Sequence, residues 1–158
     1  MTGARGAKPG VTFHSFKTAR PGGGTVPRMK PTCSKLSPVL VVDAIEPALP
    51  FWTGRLGFAV AVQVPLAEGP ELGFVILQQG AVEVMLQTRA SVAGDVPALA
   101  KEPNRATLYV EVADVEAVAR ALQGLEIVVP RRTTFYGADE IGVRAPGGHV
   151  VLFAQHAR

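Results

Sequence analysis

Apolar and polar positions alternate along short runs of this chain from Leu36 onward, and the runs occur twice in one order. The first copy opens with LSPVLVVDAIEPALPFW and the second with ATLYVEVADVEAVARAL. Superposing Val42-Asp43-Ala44-Ile45-Glu46 on Val112-Ala113-Asp114-Val115-Glu116 sets the copies 70 residues apart. Each opening reads as an apolar strand, an acidic cap and an amphipathic helix. In the second copy Asp114 is placed to cap a helix whose Val115, Val118, Ala119 and Leu122 share one stripe, with Gly124 as the stop. In the first, Ala48, Phe51, Trp52 and Leu56 form the stripe and Gly57 the stop. Pro47 suits a first turn there, whereas Pro50 sits awkwardly unless the helix starts late, near Glu46.

Three further strands follow each helix: FAVAVQV, LGFVILQ and AVEVMLQ in the first copy, LEIVV, ADEIGVR and HVVLFAQ in the second. Strand, helix and three strands, repeated, predict an α+β domain over 36–158, made of βαβββ units at 36–88 and 106–156. The stretch at 89–105 reads as a linker with a short helical turn around Pro97 to Ala100. Alternation assigns the faces. Val82, Val84 and Leu86 oppose Glu83, Met85 and Gln87, and Leu108, Val110 and Val112 oppose Thr107, Tyr109 and Glu111. The apolar faces are expected to meet the helices, leaving a semi-polar face fit to contain a small ligand.

Charge changes the picture only at the start of the chain. A pI near 9.4 points toward nucleic acid, yet seven of the 16 basic residues and none of the 13 acids lie in 1–35. The remainder holds nine bases against 13 acids, a net of −4, which gives a basic nucleic-acid groove little support. Rich in Gly, Pro, Thr and Lys/Arg, residues 1–35 are expected to be a disordered basic tail, with Met29 as a competing translation start and no secretory apolar core. No run approaches the roughly 20 apolar residues of a membrane helix. One cysteine, Cys33, fits a reducing compartment, read as the cytoplasm.

With PVLVVDAIEPALPFWTGRLGF in the first unit and FYGADEIGVRAPGGHVV in the second, the chain resembles the vicinal oxygen chelate superfamily, the group of glyoxalase I, extradiol dioxygenases and bleomycin resistance proteins. The resemblance spans Leu36 to His156. It implies tandem βαβββ units forming cupped mixed sheets with helices on the outer face, and in the enzymes a divalent metal held by His or Glu from the first and fourth strand of each unit. Those four positions fall on Ser37 and Met85 in the first unit and on Thr107 and Leu152 in the second, Val84 being the competing alignment for Met85. Two hydroxyls, a thioether and an alkyl group do not replace imidazole and carboxylate donors, so no metal and no cofactor are expected.

The resemblance then implies a metal-free binder of a small molecule, similar to bleomycin resistance proteins, which are homodimers that sequester an antibiotic in crevices shared by both subunits. Ser37, Met85, Thr107, Tyr109 and Leu152 are the expected ligand-binding residues, with Glu111 and Tyr136 beside them. No catalytic residue is assigned. The competing reading is an isomerase, lyase or dioxygenase-like enzyme using displaced ligands or Glu83, Glu111 and Glu140; a third is a dimerisation module whose cup is filled by its own side chains. Among the histidines, His149 shares a face with Val151 and Phe153 and reads as a turn-packing residue, His156 lies on the Leu152 face at a frayed end, and His14 is in the tail. Glu140 and Arg144 are expected to pair along one strand edge, with Glu83 and Glu111 solvated, and Trp52 to be core.

Overall fold

The structure, a computed structural model, describes residues 33–157; the expectations for the tail before Cys33 lie outside the described residues. Strands β1 (Val39–Val42), β2 (Ala59–Pro65), β3 (Leu72–Gln79) and β4 (Val82–Thr88) form one sheet in the order β1-β4-β3-β2. Strands β5 (Thr107–Glu111), β6 (Ile127–Thr133), β7 (Ala138–Arg144) and β8 (Val150–His156) form a second in the matching order β5-β8-β7-β6. The first strand of each set runs parallel to the fourth and the other pairings are antiparallel. This is the duplicated α+β architecture that the sequence periodicity predicts.

The helices differ between the halves. In the second, α3 (Val115–Ala121) starts where expected, with Asp114 Oδ1 accepting the Ala117 N–H at 2.9 Å. In the first, the expected helix is a π-helical turn, Pro50–Arg55, and the chain before it makes only turns. Pro50 occupies the first position of that turn, where its missing N–H has no intrahelical partner to lose. Ala48, Phe51 and Trp52 are buried as the stripe requires, and Trp52 meets Phe51 and Phe58 edge-on at 5.0 and 5.4 Å. The linker is more ordered than its composition indicates: α1 (Arg89–Asp95), capped by Thr88, precedes the expected α2 (Pro97–Ala100).

Leu40, Val75, Leu77, Val84 and Leu86 from the first sheet join Val115, Leu122, Val143, Val151 and Phe153 from the second half in one apolar cluster. Each such side chain contributes about 1.5–3 kcal/mol by leaving water. Two polar contacts stitch the halves beside that cluster. Arg55 donates to the carbonyls of Ala121 and Gln123, which the end of α3 leaves unpaired. His149, fully buried, accepts the Ala106 N–H at Nδ1 and faces the Val41 carbonyl through Nε2. The turn Pro146–Gly148 brings it there. Gly147 has a φ of 82°, and a Cβ on it would lie 2.9 Å from the Val41 oxygen. The face opposite to the shared cluster is open over most of both sheets, and on the first the linker residues Val92, Val96 and Leu99 border it beside Val39, Val41 and Gln87.

Candidate functional site

On the first sheet the open face is apolar in the middle and charged at one end. Register places Val39, Met85, Ile76 and Val62 side by side across the four strands, with Phe74 and Val64 in the neighbouring row. Ser37 lies two residues before Val39 and donates to Glu83 Oε1 at 2.6 Å. The Lys35 ammonium and the Gln78 amide hold the other carboxylate oxygen at 2.6 and 2.9 Å. Lys35 above all, then the Ser37 hydroxyl and Gln78 amide, lower the Glu83 pKa from 4.5 to about 2. Glu83, expected to be solvated, is only 6% exposed at its side chain, because three donors fold over it.

The second sheet repeats the geometry with different side chains. Tyr109 pairs with Leu152 in the register where Val39 pairs with Met85, so Leu152 and Met85 occupy equivalent places. Thr107, two residues earlier as Ser37 is, pairs with Val150. Gly142 lies beside Leu152, and a Cβ there would come within 2.6 Å of Leu152 Cδ2 and 2.9 Å of Val129 Cβ. The absence of a side chain at 142 is what lets Leu152 and Val129 close over the middle of this face.

Around that apolar patch runs a polar and aromatic rim. The Tyr109 hydroxyl is 3.0 Å from His156 Nε2, and the same nitrogen is 3.7 Å from Glu111. The Tyr136 ring stacks on the His156 ring with centroids 6.1 Å apart, and its hydroxyl donates to Glu140 at 3.4 Å. Burial, then the Tyr136 hydroxyl and the charges of Glu140 and Glu111, push the Tyr109 phenol above its ordinary 10.0. Tyr109 and Tyr136 remain about half exposed. Glu140 is 1% exposed and receives Arg132 at 2.6 and 2.8 Å, while Arg144 pairs with Glu126. The expected Glu140–Arg144 pair therefore does not form. Arg132 outcompetes it because β6 continues past Pro130 and sets Arg132 opposite Glu140.

The structure thus gathers Tyr109, Glu111, Tyr136 and Leu152 on one sheet and Ser37 and Met85 on the other, with Thr107 at the start of β5. His156 is a site residue that sequence reasoning missed: β8 does not fray before it, and Ala138 pairs with it in register. The expected binding residues line open sheet faces. A cleft of about 440 Å³ borders Glu111 between Phe58, Val82, Val110 and α3, one of about 430 Å³ lies between Glu111 and His156, and one of about 560 Å³ lies apart, between Asp43 and the linker residues 101–105.

The fold and this site define a duplicated βαβββ protein with two open sheet faces. Its sequence from 35 to 153 matches the family profile of the Glyoxalase/Bleomycin resistance protein/Dioxygenase superfamily, and the chain belongs to that superfamily. Among solved structures it is similar to a glyoxalase/bleomycin resistance protein/dioxygenase from Nocardioides, at 22% identity and a TM-score of 0.61, over 84% of this chain and 88% of that one. It is likewise similar to TioX from Micromonospora sp. ML1, at 20% identity and 0.59, over 79% of this chain and 100% of that one. A bleomycin resistance determinant encoded on the transposon Tn5 gives 15% identity and 0.59, over 80% and 100%. At these identities the likeness is one of fold. No curated protein matches the chain.

The superfamily's enzymes imply a divalent metal, so the donor set needs testing against it. Of the four places where the resemblance puts the metal ligands, Ser37 spends its hydroxyl proton on Glu83, Met85 offers a thioether, Thr107 a hydroxyl, and Leu152 no donor. Among the described residues no three His, Cys, Asp or Glu side chains converge. These residues do not fit a divalent ion, which needs several imidazole, carboxylate or thiolate donors at once.

Proposed function

We propose that this protein binds a small organic molecule on its open sheet faces without a metal, as a homodimer in the cytoplasm, and that sequestration of a toxic compound is its role. The observation that carries the reading is the equivalence of Met85 and Leu152: the same register position in both halves presents a side chain with no hard donor. The binding surface is then Met85, Ser37 and their apolar neighbours on one sheet, and Tyr109, Tyr136, Leu152, Glu111 and Thr107 on the other. Rings that stack and hydroxyls at the rim suit a flat ligand with polar substituents. Metal analysis of protein purified without chelator tests the metal-free part. Well under one divalent ion per chain is expected, and one tightly held ion per chain refutes it.

A second reading rests on the Tyr109–His156 contact, which sets a phenol within hydrogen-bond reach of an imidazole at 3.0 Å, with the Glu111 carboxylate 3.7 Å from the same nitrogen, on a ligand-facing surface. It makes the protein an isomerase or lyase that moves a proton. Turnover abolished by Glu111→Gln in a chain that still folds and binds selects this reading over the first.

A further inference from the structure

The linker lies against β1 and leaves a recess there that none of the expected ligand-binding residues lines. It has two compartments, which share Val41, Glu102 and Asn104 as walls. The inner one, about 240 Å³, is formed by Val39, Val41, Val92, Val96 and Leu99, with Asp95 beside them. The outer one is the cleft of about 560 Å³, where Asp43, Arg89, Lys101 and Arg105 meet Gly147. Charges of both signs line the recess without neutralising one another. Among the described residues Lys101 and Arg105 form no ion pair, nor do Asp95 and Glu102. Arg89 reaches Asp43 only at 3.9 Å, and the Asp43 side chain is 95% exposed. Lys35, Arg132 and Arg144, by contrast, hold carboxylates at 2.6 to 2.9 Å. Arg105 rests over the bare backbone of Gly148, where a Cβ would lie 3.6 Å from its Nε.

We propose that this recess is a second binding site, for a free α-amino acid with an aliphatic side chain. The carboxylate of the ligand faces Lys101 and Arg105, its ammonium faces Glu102, and its side chain enters the compartment of Val92, Val96 and Leu99. The three features select that chemistry together. Unlike charges held apart across a recess are answered by one molecule that carries both, each through charge-assisted hydrogen bonds. A plain carboxylic acid leaves Glu102 without a partner, and a plain amine leaves Lys101 and Arg105 without one. Glu102 lines both compartments, so the ammonium meets it where the side chain and the carboxylate of the ligand diverge. The apolar compartment then rewards an aliphatic side chain and gives none of that reward to a bare backbone. Val41, the linker and Gly147 come from the first half, the connection and the second half, so an occupant touches both halves at the joint that His149 bridges. The inner compartment shares Val39 with the margin of an open sheet face, but Ser37, Met85 and the residues of the second sheet line neither compartment, and the inference is independent of what binds around them.

Titrating the full chain with L-leucine while recording proton–nitrogen correlation spectra tests it, because the amides that shift locate the ligand. Three relatives of leucine each lack one group: 4-methylpentanoate the ammonium, 3-methylbutylamine the carboxylate, and glycine the side chain. Leucine is expected to move the amides of residues 92–105 and of Gly147 with a dissociation constant of about 1 mM. Each of the three relatives is expected to bind roughly fivefold more weakly or worse. Arg105→Gln should weaken leucine by a similar factor, whereas Arg120→Gln, which removes the same charge from an exposed position outside the recess, should not. The same spectra report whether each variant folds, and the ligand series on the wild type carries the test if one does not. No shift at about ten times the expected dissociation constant overturns the proposal. So do shifts confined to the surroundings of Met85 and Leu152, equal binding of any of the three relatives, or an Arg105→Gln affinity equal to that of the wild type.

Discussion

The buried imidazole of His149 lies 2.9 Å from the carbonyl oxygen of Val41, a residue 108 positions earlier in the chain. Because its other nitrogen accepts from the Ala106 N–H, the proton sits on Nε2 and the ring is a neutral bridge between the halves. Replacing it with Ala leaves a buried carbonyl and a buried N–H unpaired and opens a cavity. A loss of about 3 kcal/mol or more is expected from urea unfolding of His149→Ala.

Acid is expected to act through Glu83. Its folded pKa of about 2 lies below the ordinary 4.5, so folding favours the ionised form. The stability this provides is fully present above about 4.5 and is lost as pH falls toward 2. Melting temperatures measured between pH 5 and about 2 should therefore fall less steeply for Glu83→Gln than for the wild type. Parallel curves for the two proteins contradict this.

Alkali is expected to act through Tyr109. With a phenol raised above 10.0, folding favours its protonated form, and that contribution is lost as pH rises through the folded value. The chain has two tyrosines. Ultraviolet titration of the folded protein should resolve a phenol ionising above the ordinary range, and Tyr109→Phe should remove that step. A single step at the ordinary value in the wild type refutes the assignment.

The cap that Asp114 provides has no equivalent in the first half. Removing its carboxylate in Asp114→Ala deprives the Ala117 N–H of its acceptor and should cost about 1 kcal/mol in chemical denaturation. Its counterpart 70 residues earlier is Ala44, and the neighbouring Asp43 is exposed and precedes only turns, so Asp43→Ala should be close to neutral.

The strands were legible because burial imposes a period of two on them, and Val84, Leu86, Val151 and Phe153 all face the shared cluster as their alternation requires. The helices were less so. The stretch Arg89–Asp95 buries only Val92, too little to create a period, and its order comes from the Thr88 cap. The rim around Glu140 was hidden by Pro130, which reads as the end of a strand. The chain pairs on past it, and a partner for Glu140 supplied by the continuation of a bulged strand has no signature in local spacing. Glu83 was misjudged for a related reason: its exposure is decided by Lys35, before the first strand, and by Gln78 on the neighbouring strand.

The repeat is plain in the letters but has no counterpart in how the protein holds together. Leu40, Trp52, Leu122 and Phe153 belong to one apolar cluster drawn from both halves, with Arg55 and His149 bridging alongside it. Cut between the units, each half would present its share of that cluster to water. The halves are thus copies in pattern but partners in cooperativity, and the folded body is expected to melt as a single event instead of two.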